Sequence, residues 1–134
     1  MRTKTFIIIL FTAAFGFLAQ VQAQTAKEVR VGISREKAIV RNKLNLRFLD
    51  VVEDSRCPKD AQCIWAGNAK VKVQINKPGG TPKIFEINSG IEPQTILIEG
   101  YEIRLVALTP EPGSNIRIRK DGYVATFSVT KVVK

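Results

Sequence analysis

From Val29 onward, apolar and polar residues alternate one for one in short runs. Val29, Val31 and Ile33 alternate with Arg30 and Gly32, and Leu44, Leu46 and Phe48 with Asn45 and Arg47, the latter run continuing to Val52. Ala69, Val71, Val73 and Ile75 alternate with Lys70, Lys72 and Gln74, the clearest case in the chain. Ile84–Ile87 and Thr95–Glu99 are shorter runs, followed by Tyr101–Leu108, in which Ile103, Leu105 and Ala107 share a face. Ile116 and Ile118 alternate with Arg117 and Arg119, and Tyr123, Ala125, Phe127 and Val129 line one face of the last run. Successive strand side chains point to opposite faces, so a period of two predicts strands buried on one side. Residues 35–43 are the one stretch with room for a helical turn.

The punctuation agrees with this pattern. Pro78-Gly79-Gly80-Thr81-Pro82 and the Pro110, Pro112, Gly113 segment are loops. Asp121-Gly122 predicts a two-residue hairpin, because both central positions of that turn favour positive φ. About eight short strands separated by turns predict a single all-β domain. A small β-sandwich of Ig-like or Greek-key type is expected, with a small β-barrel as the alternative.

The N-terminus follows another pattern. Met1-Arg2-Thr3-Lys4-Thr5 is basic, Phe6–Ala19 is apolar and uncharged, and Val21-Gln22-Ala23 precedes Gln24. These are the three parts of a secretory signal peptide. The apolar run is shorter than the roughly 20 residues that a helix needs to cross a bilayer core. Cleavage is expected between Ala23 and Gln24, giving a periplasmic or secreted protein with no transmembrane span. Residues 24–134 then form the single β-domain, and removal of Arg2 and Lys4 lowers the formal charge from +9 to +7.

The chain has two cysteines, Cys57 and Cys63, and no histidine. In an oxidising compartment the cysteines read as a disulfide. Over this spacing a straight α-helix would hold the two Cα atoms about 9 Å apart, beyond the roughly 4.4–6.8 Å of a disulfide. Residues 57–63 are therefore expected to form a tight clasped loop. The absence of histidine removes the commonest neutral-pH base and metal ligand. Ser55 then has no histidine beside it to activate it, and five residues between the cysteines argue against Cys-x-x-Cys redox chemistry. Asp50, Glu53, Asp54 and Asp60 lie close in sequence but lack the spaced-acid loop of a calcium site. No cofactor, metal or catalytic residue is expected.

The segment Glu53-Asp54-Ser55-Arg56-Cys57-Pro58, followed by Cys63-Ile64-Trp65-Ala66-Gly67, resembles a group of small secreted bacterial proteins and lipoproteins. Tyr101-Glu102-Ile103-Arg104-Leu105, Thr109-Pro110 and Tyr123-Val124-Ala125-Thr126 resemble the same group's C-terminal pattern. The resemblance implies a shared fold and compartment, but no activity. The lipid-bearing cysteine of the group's lipoproteins has no counterpart here, so the resemblance carries no membrane tether.

Around the clasp, structural roles are expected for Asp54, Arg56, Trp65 and Gly67. Asp54 would cap the loop through backbone N–H groups, Arg56 would pair with Asp54 or Asp60, and Trp65 would cover the disulfide. Gly67-Asn68 would turn the chain into the next strand. Lys59, Asp60, Gln62 and Asn68 form a candidate loop surface. Lys70, Lys72, Arg117 and Arg119 form a candidate basic face, provided their strands are neighbours. The expected function is a non-enzymatic envelope or secreted binding module, with an inhibitor of an exported hydrolase as the alternative. Expected partners are an envelope protein or an anionic cell-surface polymer. Nucleic acid is disfavoured because few aromatic platforms accompany the charges, and a monomer is expected.

Overall fold

The computed structural model describes residues 24–132. The signal peptide assigned to residues 1–23 lies outside the described residues. The alternating segments become eight strands: β1 (Lys27–Gly32), β2 (Glu36–Val40), β3 (Leu44–Asp54), β4 (Ala69–Asn76), β5 (Lys83–Asn88), β6 (Thr95–Ile98), β7 (Tyr101–Thr109) and β8 (Val124–Lys131). They form two four-stranded antiparallel sheets, ordered β1-β8-β7-β6 and β2-β3-β4-β5. The fold is a β-sandwich, as expected. Within each sheet the strands run as a meander rather than a Greek key, with β1 added beside β8. Each sheet keeps two free edges, so the barrel alternative is not adopted.

The period-two faces meet between the sheets. Leu44, Leu46 and Phe48 of β3 and Val71, Val73 and Ile75 of β4 are buried opposite Val31, Ile103, Ala125 and Phe127. Phe48 and Phe127, from opposite sheets, pack edge to face with ring centroids 6.5 Å apart. Burying such side chains supplies the main driving force for closing the two layers, at about 25 cal/mol per Å² of apolar surface. A bulge at Val106 shifts the phase of β7. Leu108 is therefore buried and Ala107 exposed, the reverse of strict alternation.

Three expectations are corrected. Residues 36–40 form edge strand β2, whose one buried side chain is Ile39, rather than a helical turn. Ile116–Arg119 forms no strand: Ile116 is 49% exposed, and this segment of the β7–β8 connection has no ladder partner. Asp121-Gly122 is not a two-residue hairpin. Lys120–Gly122 makes a 3-10 turn closed by a Gly122 N–H···O=C Arg119 bond of 3.0 Å, without positive φ at Asp121 or Gly122.

The pairing registers sort the loops to two ends. The clasp (residues 55–68), the 89–94 turn and the 110–123 connection share one end. The turns 41–43, 77–82 and 99–100 share the other.

Candidate binding site at the clasp

Cys57 and Cys63 are joined, with Cα atoms 5.9 Å apart, so the expected clasp forms. It is anchored by polar contacts on both flanks. At the end of β3, Asp54 receives two hydrogen bonds of 2.8 Å from Arg56, through Nε and Nη2, and one of 2.9 Å from the Tyr123 hydroxyl. The Arg56 backbone N–H also donates to Asp54 Oδ1 at 3.4 Å, the local cap expected of this aspartate. The rest of the guanidinium donates to the carbonyls of Leu108 and Pro110. Arg56 and Asp54 thus tie β3 to the end of β7 and the start of β8, across the two sheets. A planar guanidinium suits this task because it presents several donors in fixed directions. The Arg56 donors hold the Asp54 carboxyl below its usual range, against the opposing effect of burial. Burial, together with the bond to Asp54, pushes the Tyr123 phenol up to about 12.

Further contacts hold the loop itself. Lys59 N–H donates to the Pro112 carbonyl at 3.0 Å, and Asp60 Oδ1 accepts from Ser114 N–H at 2.9 Å and Ser114 Oγ at 3.0 Å. These bonds lower the Asp60 carboxyl from its ordinary value. Gly67 turns the returning strand at φ 74°, a left-handed conformation that glycine adopts without steric cost. A side chain there would collide with Ser55 O and come within 2.7 Å of Arg56 Cα.

Asn68 belongs to this framework and not to the expected loop surface. It is 7% exposed, with Nδ2 donating to Asn88 Oδ1 at 2.9 Å and Oδ1 accepting from Gly90 N–H at 3.0 Å. Ser55 is held as a structural serine: Oγ donates to Asn68 O at 2.9 Å and accepts from Asn68 N–H at 3.2 Å. The four acids of the weak calcium reading are not brought together. Asp54 and Asp60 are engaged as above, and Asp50 accepts from Val51 N–H. Among the described residues no group of three or more such ligands converges.

Trp65 departs from its expected role. Its indole is 68% exposed and Cys63 is exposed, so the ring does not shield the disulfide. Two residues on, the Gly67 backbone packs directly on Ser55–Cys57. Ile64, the neighbour of Trp65, is 97% exposed, and Ile91 on the adjoining 89–94 turn is 56% exposed. The loop surface therefore consists of Lys59, Asp60 and Gln62, all exposed, with an apolar tip at Ile64–Trp65. An open recess of about 430 Å³ lies beside it, lined by Arg56, Lys59, Gly67, Ser89, Glu111 and others.

The expected basic face is not assembled. Lys70 and Lys72 lie on β4, between β3 and β5, whereas Arg117 and Arg119 lie in the β7–β8 connection of the other sheet. Lys72 sits in register between Asp50 and Glu86, with its Nζ 3.9 Å from Glu86, and Lys70 lies opposite Glu53. Arg119 pairs with Asp121 at 2.9 Å. A signal for the apolar tip was present in the sequence: Ile64 and Trp65 stand outside every alternating run. Comparison with known proteins found no matching family model, no matching curated protein and no matching solved structure.

Proposed function

We propose that this chain is exported, loses residues 1–23, and works as a non-enzymatic binding module of the envelope or extracellular space. Its Ile64–Trp65 tip would dock into an apolar recess of a partner protein. The observation that carries this reading is the pair of large apolar side chains, 97% and 68% exposed, on a loop fixed by a disulfide and by bonds to Pro112 and Ser114. Tryptophan is the residue type most enriched among dominant interface contacts. A loop already held in place loses little freedom on binding. The disulfide supports an oxidising compartment. Among the described residues no helix is long and apolar enough to cross a membrane. The resemblance to small secreted bacterial proteins supports the same compartment.

Photo-crosslinking tests the reading. A crosslinker at position 65 should trap one partner in the native host, and one at Lys37 on β2 should not. Ile64→Ser with Trp65→Ser should abolish capture while leaving the thermal midpoint in place. Equal capture from both positions would sink the proposal. Inhibition of an exported hydrolase is a narrower form of it, favoured by the pinned loop. In that case Ile64 and Trp65, more than Asp60, would enter the target, because the Asp60 carboxylate is already committed to Ser114.

A further inference from the structure

The sheet order β1-β8-β7-β6 gives β1 the neighbour β8 on one flank and, among the described residues, no strand on the other. The register fixes which of its backbone groups are already bonded. Ile33 N–H donates to Tyr123 O at 3.0 Å, and in the same register Val31 faces Ala125, Val29 faces Phe127 and Lys27 faces Val129. Hydrogen-bonded and non-hydrogen-bonded pairs alternate along an antiparallel ladder. The odd positions therefore bond to β8, and Glu28 and Arg30 turn their N–H and C=O groups away from the sheet. Gly32 follows the same sense, since its carbonyl accepts from Arg35 N–H, outside the ladder, at 3.0 Å.

The side chains keep the same alternation. Val29 and Val31 are buried, whereas Glu28 and Arg30 stand exposed on the outer face. Their neighbours across β8 are uncharged, Ser128 beside Glu28 and Thr126 beside Arg30. Among the described residues neither charge takes part in an ion pair. One edge thus presents an acid and a base two positions apart, with outward backbone groups at the same two residues.

We propose that β1 pairs with β1 of a second copy, antiparallel about a two-fold axis at Val29, making the protein a dimer rather than the expected monomer. In this register Glu28 lies opposite Arg30 of the second copy, and Arg30 opposite its Glu28. Each such pair exchanges N–H···O=C bonds, and the side chains meet on the outer face as opposite charges. Val29 meets Val29 on the inner face. Charge disfavours the neighbouring registers. One step in one direction sets Glu28 against Glu28, and one step in the other sets Arg30 against Arg30, and like charges directly opposite are destabilising. The alternating signs therefore select one closed, isologous pairing, unlike the charged edges that keep strands apart. The other edges are less suited. β2 carries a bulge between Ala38 and Val40, β6 has four residues, and Asn88 N–H of β5 is already given to Pro93 O at 2.9 Å. Antiparallel pairing puts the two clasps at opposite ends of the dimer, so both Ile64–Trp65 tips stay open and the two surfaces act independently.

Sedimentation velocity of the purified protein over a concentration series tests the proposal, and should show a monomer–dimer equilibrium. Glu28→Arg and Arg30→Glu should each weaken the dimer about tenfold or more, because each turns both charge pairs repulsive. Combining the two substitutions should restore the dimer, which a merely structural role for either residue does not predict. Both residues are exposed, so thermal midpoints measured on dilute monomer should hold. In hydrogen exchange, the Glu28 and Arg30 amides should gain protection as concentration rises, and the Leu97 amide on edge strand β6 should not. If a variant loses its fold, the exchange pattern of the unmodified protein decides alone. A monomer at every concentration, a dimer indifferent to both single reversals, a folded double variant that stays monomeric, or protection gained at β2, β5 or β6 instead would overturn the proposal.

Discussion

The Tyr123 hydroxyl donates a 2.9 Å hydrogen bond to Asp54 Oδ2, across 69 positions of sequence, and so joins the last residue of β3 to the entry of β8. The bond links the two sheets at the clasp end, where Arg56 donates to both carboxylate oxygens, Nε to Oδ1 and Nη2 to Oδ2. Tyr123→Phe should lower stability by about 1–2 kcal/mol, the cost of a hydrogen bond to a charged group. Asp54→Ala should cost more, about 2–3 kcal/mol, because it strands the Arg56 guanidinium as well as the hydroxyl. Urea unfolding of the two variants measures both, and equal midpoints for wild type and Asp54→Ala would refute the tie.

The same pair gives stability a pH window. The folded Asp54 carboxyl lies below its ordinary value of 3.8, so its contribution is present above that value and is lost as pH falls through the folded value. Tyr123 acts at the other limit. Its phenol rises from 10.0 to about 12, so its contribution is complete below pH 10 and is lost as pH climbs through about 12. Thermal midpoints should therefore fall on both limbs, and Tyr123→Phe should flatten the alkaline one. An unaltered alkaline limb in that variant would remove Tyr123 as its cause.

Two glycines with nearly the same backbone separate conformational strain from crowding. Gly67 and Gly79 have φ of 74° and 70°, but a side chain at Gly67 meets the backbone of Ser55–Cys57, and one at Gly79 meets nothing within 4 Å. Gly79→Ala should cost about 1 kcal/mol for the left-handed conformation alone. Gly67→Ala should cost several kilocalories, on the order of 3 kcal/mol or more, since the clasp backbone must move. Denaturant midpoints of the two variants provide the comparison.

Trp65 is the chain's single tryptophan, so its emission reports on the tip alone. Its 68% exposure predicts a spectrum close to that of indole in water and strong quenching by acrylamide in the folded protein. Trp65→Ala should change stability by less than about 0.5 kcal/mol, as for other surface positions. A blue-shifted, quencher-resistant emission would mean that the ring is covered.

Much of the sandwich is written in the local pattern. Ala69–Ile75 and Tyr123–Val129 show their buried faces directly, because a strand between two neighbours must put every second residue inside. β2 was hidden because Glu36–Val40 is an edge strand that buries only Ile39 and leaves its charged residues in water. Ile116–Arg119 carries the alternation of a strand without being one, since alternation records amphipathicity and a ladder needs a partner within reach. The bulge at Val106 reverses the face of Leu108 for a similar reason: one extra residue shifts the phase, and nothing in the composition marks it.

The sequence by itself determined the β class, the sheet faces of the central strands and the clasp, and it offered Asp54 and Asp60 alike as partners for Arg56. Each of these follows from side-chain periodicity or from residues a few positions apart. Tertiary structure alone decided which strands are neighbours. It thereby set Lys72 between Asp50 and Glu86, brought Tyr123 to Asp54, buried Asn68 and left Trp65 in solvent. It also left β1 on a free edge. Such meetings depend on strand order and register, and loop closure over many residues leaves no trace in the local pattern of either segment.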